Sequence, residues 1–232
     1  MKLNPQQLEA ATTTEGPLLI LAGAGAGKTK TIVERVIEIV RSGTDPRNIL
    51  CVTFTNKAAA EMRERIVKRL IEEKLIEEIV SDYSSRPMHQ LYYYAPTIKT
   101  FHGLGLQILK ENYDAAGLLK HFTILDPDDG KSIVKKKVEE MGLDPKQYEP
   151  AKIRNAISKE KGNFKSLEDY KKGIASYSME VVANVWAEYN RELSKQGAVD
   201  FDDLIIKPIE LLEKSSALRD KYLTKIQRVR TR

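Results

Sequence analysis

The segment Ala22-Gly23-Ala24-Gly25-Ala26-Gly27-Lys28-Thr29 constrains this chain more than any other. Glycines alternate with alanines, so successive backbone N–H groups can turn inward together as an anion nest. Upstream lies Leu18-Leu19-Ile20-Leu21-Ala22, an unbroken apolar run bounded by Gly16-Pro17. It is too short for a helix and reads as a buried strand. Downstream, a helix of mixed polarity is predicted from about Lys28 to near Gly43. That order aims the loop amides and the positive end of the helix at one point. Lys28 can reach the β- and γ-phosphates of a nucleotide there, and the Thr29 hydroxyl can ligate Mg²⁺. The match is to AxxGxGKT, because Ala22 stands where the general motif has glycine.

The rest of the first third alternates helix and strand. Asn4 followed by Pro5 predicts a helix start, a capping side chain and then a fixed φ, running through Gln6, Gln7 and Leu8 to about Thr12. Ile49 to Phe54 reads as a second buried strand and Thr97 to Thr100 as a third. Between them, Ala59, Met62, Ile66 and Leu70 share one helical face, and another apolar helix follows from Phe101. Strands separated by helices imply βαβ crossovers and a parallel sheet. From about Asn112 helical periodicity with many lysines dominates. Helix starts are predicted at Asp126-Pro127 and Glu149-Pro150, and a long helix from Tyr177 to Lys195 carries Val181, Val185, Trp186, Tyr189 and Leu193. Asp200 to Ile205 opens one more. The predicted class is α/β, a parallel sheet flanked by helices with a mainly helical insertion. The predicted divisions are 1–110, 111–197 and 198–232. Residues 72–96 read as a surface excursion, although Tyr92, Tyr93 and Tyr94 could alternatively stack on bases.

Composition narrows the chemistry. A single cysteine, Cys51, excludes a disulfide framework or a cysteine-based zinc site and fits a reducing compartment. Three dispersed histidines argue against a histidine-rich metal site. No apolar run approaches the roughly 18 residues of a membrane helix, and the N-terminus lacks a signal-peptide pattern. A soluble, cytoplasmic protein is therefore expected, with no membrane partner. The net charge of +5 sits wholly in the tail, since 1–218 holds 32 basic and 32 acidic residues. Charge alone thus does not establish a nucleic-acid partner.

Taken together and in order, LNPQQLEA, AGAGAGKT, VTFTNKAAAEMRERI, TIKTFHGLGLQIL and VDFDDLI resemble the N-terminal half of UvrD/Rep/PcrA-type superfamily 1 DNA helicases. The resemblance covers nearly the whole chain, least over 72–96 and the last ten residues. It implies a RecA-like ATPase domain interrupted by a helical subdomain, with ATP and Mg²⁺ as cofactors and single-stranded DNA as partner. The implied activity is ATP-dependent 3′→5′ helicase action at single-strand/duplex junctions, in repair or replication. By the same resemblance Gln7 reads the adenine edge, as an amide with donor and acceptor can. The stretch Ala22 through Lys30 holds the nucleotide, with Lys28 as the phosphate residue and Thr29 as the magnesium residue. Phe54, Thr55, Asn56 and Lys57 lie along single-stranded DNA, and Phe101, His102 and Gly103 make a second contact with it. Taken singly, Gln7 would read as helix surface, Phe54 as core and His102 as a structural hydrogen-bonder. Asp200, Asp202 and Asp203 resemble the family's DFDDL, which positions the ATPase domain and its neighbours. Their spacing alone also admits a metal site.

The resemblance stops near the C-terminus. In the family a segment like Leu218-Arg219-Asp220-Lys221-Tyr222 leads into a strand ending in D-E-x-Q-D, whose acids hold Mg²⁺ and activate water. Here LTKIQRVRTR follows. The chain therefore reads as the ATP-binding portion truncated before those carboxylates. The expectation is a polypeptide that binds nucleotide and DNA without turnover of its own, its oligomeric state left open with a monomer favoured. Asp202 or Asp203 would be the conceivable surrogate acids. A small phosphate-loop kinase is disfavoured by the TFTNKAAAEM and TFHGLG segments.

Overall fold

The computed structural model describes residues 3–75 and 87–226. The chain divides into two compact units, Met1–Leu104 with Ala217–Arg232, and Gly105–Ser216.

In the first unit, helix α1 (Pro5–Thr12) starts at Asn4, whose side chain accepts the Gln7 N–H while the Gln7 side chain accepts the Asn4 N–H. This reciprocal box satisfies two of the donors that a helix start leaves unpaired. Helix α2 (Lys28–Arg41) buries Val33, Val36, Ile37, Ile39 and Val40. Strand β1 (Leu50–Thr53) is followed by helix α3 (Asn56–Glu72), which buries Ala59, Met62, Ile66, Val67 and Leu70. That is the predicted apolar face, with Val67 added. A short helix α4 (Met88–Leu91) and a 3₁₀ turn over Tyr92–Tyr94 lead into strand β2 (Thr97–Thr100). The two strands pair in parallel, Leu50 opposite Thr97 through Thr53 opposite Thr100. Helices α2 and α3, Ile49, Cys51 and Ile98 close one core, against which Tyr92 and Tyr94 pack while Tyr93 stays exposed. Each fully buried aliphatic side chain contributes about 1.5–3 kcal/mol to such a core. Arg69 of α3 grips Glu34 of α2 through two nitrogens, at 2.9 and 3.0 Å. Burial pushes the Cys51 thiol up to about 12, so it stays protonated and inert. The acidic half of the 72–96 excursion falls largely outside the described residues.

One expectation fails. Leu18–Ala22 is not a strand: Leu19 is 70% and Leu21 85% exposed. An apolar run becomes a buried strand only where another strand or helix lies against it. Among the described residues of this unit, β1 and β2 pair only with each other.

Helix α5 (Phe101–Glu111) runs from the first unit into the second. The second unit is mainly helical, with α6 (Pro127–Glu140), α7 (Pro150–Gly162), α8 (Leu167–Lys172), α9 (Tyr177–Lys195) and α10 (Asp203–Lys214). Asp126 and Asp129 form a second capping box at the start of α6. All five apolar residues expected to face inward from α9 do so, with Val185 and Tyr189 fully buried. Two short strands that the sequence does not betray, β3 (Thr123–Ile124) and β4 (Ala198–Val199), pair in parallel. At two residues each they are too short to show a period. Gly105 of α5 meets α10 so closely that an added Cβ would lie 1.7 Å from the Leu204 carbonyl oxygen. Only glycine fits there. Helix α11 (Ser216–Lys225) follows, and from Ala217 the chain belongs to the first unit again.

Candidate nucleotide site and nucleic-acid edge

The glycine loop takes the conformation that its composition allows. Gly25 and Gly27 have φ of +74° and +79°, the left-handed region that glycine enters without strain. Gly27 is also the N-cap of α2, and no side chain caps that helix. The start of α2 thus carries no side-chain cap and presents the positive end of the helix dipole, a place suited to an anion. The loop from Ala22 to Ala26 is exposed, while Gly27, Thr29 and Lys30 are half-buried. Lys28 is folded back on the loop: its Nζ donates to the carbonyls of Ala22 at 2.7 Å and Gly23 at 2.6 Å. Thr29 stands in the first turn of α2, one residue after Lys28.

Gln7 reaches the same loop from α1. Its Nε2 donates to the Ala26 carbonyl at 3.0 Å, and it is the closest neighbour of Gly27, where an added Cβ would sit 2.8 Å from that nitrogen. Helix α1 is held against α2 by the Arg35 guanidinium, which donates to the Ala10 carbonyl at 3.0 Å. Arg35 is 9% exposed, and burial lowers its pKa. Gln7 and Lys28 thus both bond to carbonyls of the same loop. The resemblance pointed to Gln7, but not to the anchoring role of Arg35, which carries no local signature.

The parallel register builds a second feature. Because Thr53 stands opposite Thr100, the residues that follow emerge side by side, and Phe54 and Phe101 meet with ring centroids 5.6 Å apart at 48°. Phe54 is 84% exposed, so it is a surface ring and not the core residue that it would be by composition. Thr55 caps α3, its hydroxyl accepting the Ala58 N–H at 3.1 Å, which places Asn56 and Lys57 exposed on the first turn. Thr100 does the same for α5, accepting the Gly103 N–H at 3.0 Å. His102 and Gly103, which follow Phe101 in α5, are half-buried. Two adjoining aromatic rings, an exposed amide and an exposed ammonium at the C-terminal ends of the two strands suit the bases and phosphates of a single strand.

The aspartates near residue 200 do something else. Lys161 of α7 donates to both oxygens of Asp200 at 2.8 Å and lies 2.7 Å from Asp203. Arg154 holds Asp202 at 3.1 Å through two nitrogens, and Ser158 donates to it at 2.9 Å. The Tyr189 hydroxyl donates to Asp200 at 3.2 Å. Burial pushes the Asp200 carboxyl upward, but the Lys161 ammonium and the hydrogen bonds outweigh it and hold the group below its ordinary value. A metal reading does not survive this: the carboxylates are spent on Lys161 and Arg154. No acidic or histidine cluster fit to hold a metal exists among the described residues. Arg154 and Lys161 were invisible beforehand, because two basic residues in a lysine-rich helix look like solvated surface.

Comparison with known proteins fits this geometry. Residues 3–230 match the model of the UvrD/REP helicase N-terminal domain. The chain belongs to the UvrD/REP helicase family. It is 38% identical over 226 residues to the ATP-dependent DNA helicase PcrA of Staphylococcus aureus strain Mu50 and to that of Staphylococcus epidermidis strain ATCC 12228. Each alignment covers 97% of this chain and 28% of the relative. The chain therefore corresponds to the N-terminal part of those helicases, in keeping with its mixed α/β architecture. Among the described residues, no helix is long and apolar enough to cross a membrane.

Proposed function

We propose that this chain provides the Mg-ATP-binding part, and a stretch of single-strand track, of an ATP-dependent 3′→5′ DNA helicase acting at single-strand/duplex junctions in repair or replication. The observation that carries the reading is the uncapped start of α2 behind two left-handed glycines, with Lys28 and Gln7 directed at the same loop. The loop amides and Lys28 would take the β- and γ-phosphates, Gln7 the adenine edge, and the Thr29 hydroxyl would hold Mg²⁺. The helix start without a side-chain cap fits an anion, and the neighbouring hydroxyl fits the hard cation that accompanies it. Magnesium supplies charge neutralisation on the phosphate oxygens when bound. Phe54 and Phe101 would stack bases, with Asn56 and Lys57 on the phosphates. His102 and Gly103 would support the second contact. Lys28→Ala is expected to abolish Mg-ATP binding with the fold intact, because Lys28 is exposed and bonds only to loop carbonyls. Equal calorimetric affinity in mutant and parent would refute the assignment.

A second reading concerns the 232-residue polypeptide on its own: a nucleotide- and DNA-binding module with at most trace turnover. It is favoured by the aspartates, since Asp202 and Asp203 are engaged by Arg154 and Lys161 and do not serve as water-activating acids.

A further inference from the structure

The second unit contains a cavity of about 560 Å³, bordered by the C-terminal end of α7, the start of α8, and α9 and α10. That size falls within the range of about 300–1,000 Å³ typical of small-molecule sites. Leu118, Leu167, Leu193 and Ile206 give it apolar walls. Its charged residues are paired, with one exception. Lys161 meets Asp203 at 2.7 Å, Lys165 meets Glu160 at 3.3 Å and Glu210 meets Lys214 at 3.6 Å. Lys207 of α10 is half-buried in the lining and has no ion-pair partner among the described residues. Trp186 of α9 adds a second unmet group. Its ring is buried against Tyr170, centroids 5.7 Å apart, and its Nε1–H has no acceptor among the described residues. Buried donors nearly always have one. We propose that this cavity binds a small aromatic monocarboxylate, with the carboxylate on Lys207 and the ring against the walls that carry Phe164 and Trp186.

The lining sets the chemistry of the occupant. One unpaired ammonium calls for one negative charge, and a second charge on the ligand would find no counterpart. Apolar walls call for a hydrocarbon body, which a small inorganic anion lacks. Phe164 supports the aromatic choice. Helix α7 closes with the Phe164 N–H donating to the Lys161 carbonyl at 2.8 Å and the Lys165 N–H donating to the Glu160 carbonyl at 3.0 Å. In that closing turn the left-handed residue is usually glycine. Here it is Phe164, at φ +56°, with its ring lining the cavity and largely exposed. The backbone strain stabilises nothing in the fold, and the ring gives a ligand an aromatic face.

Trp186 is the sole tryptophan and borders the cavity, so its fluorescence reports occupancy. The probe is 4-phenylbutyrate, titrated into the full chain. Its uncharged analogue 4-phenylbutanol and its ringless analogue butyrate serve as comparisons. A saturable change is expected with 4-phenylbutyrate, with affinity at least about tenfold above either analogue. Lys207→Met is expected to weaken it about tenfold or more, as for loss of a bond to a charged group, and Lys207→Arg to restore it. Phe164→Gly separates binding from folding. It should hold or raise the urea midpoint, because glycine suits the left-handed position, and weaken 4-phenylbutyrate about threefold or more. No saturable change, or equal affinity for the acid and the alcohol, would overturn the site in the parent chain alone. Lys207→Met that binds as tightly as the parent would overturn the placing of the carboxylate, and unchanged affinity in Phe164→Gly that of the ring.

Discussion

Replacing Lys161 by methionine tests the electrostatics of the second unit most directly. Lys161, Asp200 and Asp203 are 7%, 2% and 7% exposed, and the ammonium makes three contacts of 2.7–2.8 Å. Methionine keeps most of the volume but leaves two carboxylates buried, with Arg154 reaching Asp200 only at 3.4 Å. Removing one partner from a buried ionic cluster costs about 3–5 kcal/mol, a large share of the roughly 5–15 kcal/mol that holds a domain together. For a unit of this size that corresponds to a melting temperature lower by about 12–20 °C. The sole tryptophan, Trp186, is 2% exposed in the core of the same unit, so its fluorescence in urea reports the transition. The pH dependence carries a sign. In the parent chain the Asp200 pKa is depressed, so its contribution is present above the unfolded carboxylate value of about 4 and fades as pH falls through the lower native value. In Lys161→Met the ammonium no longer offsets burial, so that pKa is expected to rise and protonation to relieve part of the strain. The stability gap is expected to be widest at pH 7 and to narrow toward pH 4. A loss below about 1 kcal/mol, or a gap that widens in acid, would refute the reasoning.

Three further outcomes follow from other parts of the molecule. Gly105→Ala must displace the Leu204 carbonyl by more than an ångström and should destabilise the second unit severely, by several kcal/mol in urea unfolding; a neutral result would mean that α5 and α10 do not approach as described. Phe54→Ala should weaken single-stranded DNA binding by about 5–150-fold, as loss of one base-stacking ring does, with little effect on stability because the ring is 84% exposed. Phosphate release by the 232-residue polypeptide should stay at trace level with or without single-stranded DNA. Robust DNA-stimulated turnover that vanishes in Lys28→Ala would mean that some other group completes the site.

What was legible in the sequence was local. Asn4-Pro5, Asp126-Pro127 and the apolar spacing of Tyr177–Lys195 each specify their helices within a few residues, because caps and 3.6-residue periodicity act over one or two turns. The glycine loop was equally plain, since a run of alternating glycines leaves the backbone few other uses. Leu18–Ala22 and Ile49–Phe54 look alike as apolar runs, yet only the second contains a strand. A strand is completed by a neighbour, and nothing in five residues says whether one is present. The pairing of Phe54 with Phe101 depends on a register set by two strands 47 residues apart. The fate of the aspartates depends on Lys161 and Arg154, 39 to 48 residues away. By itself the sequence determined the long helices, their starts and the turning of the glycine loop, through interactions between near neighbours. Only the tertiary structure decided which apolar run is a strand, which aromatic rings form an edge and which carboxylates are already taken. Those outcomes turn on distances between residues far apart in the chain.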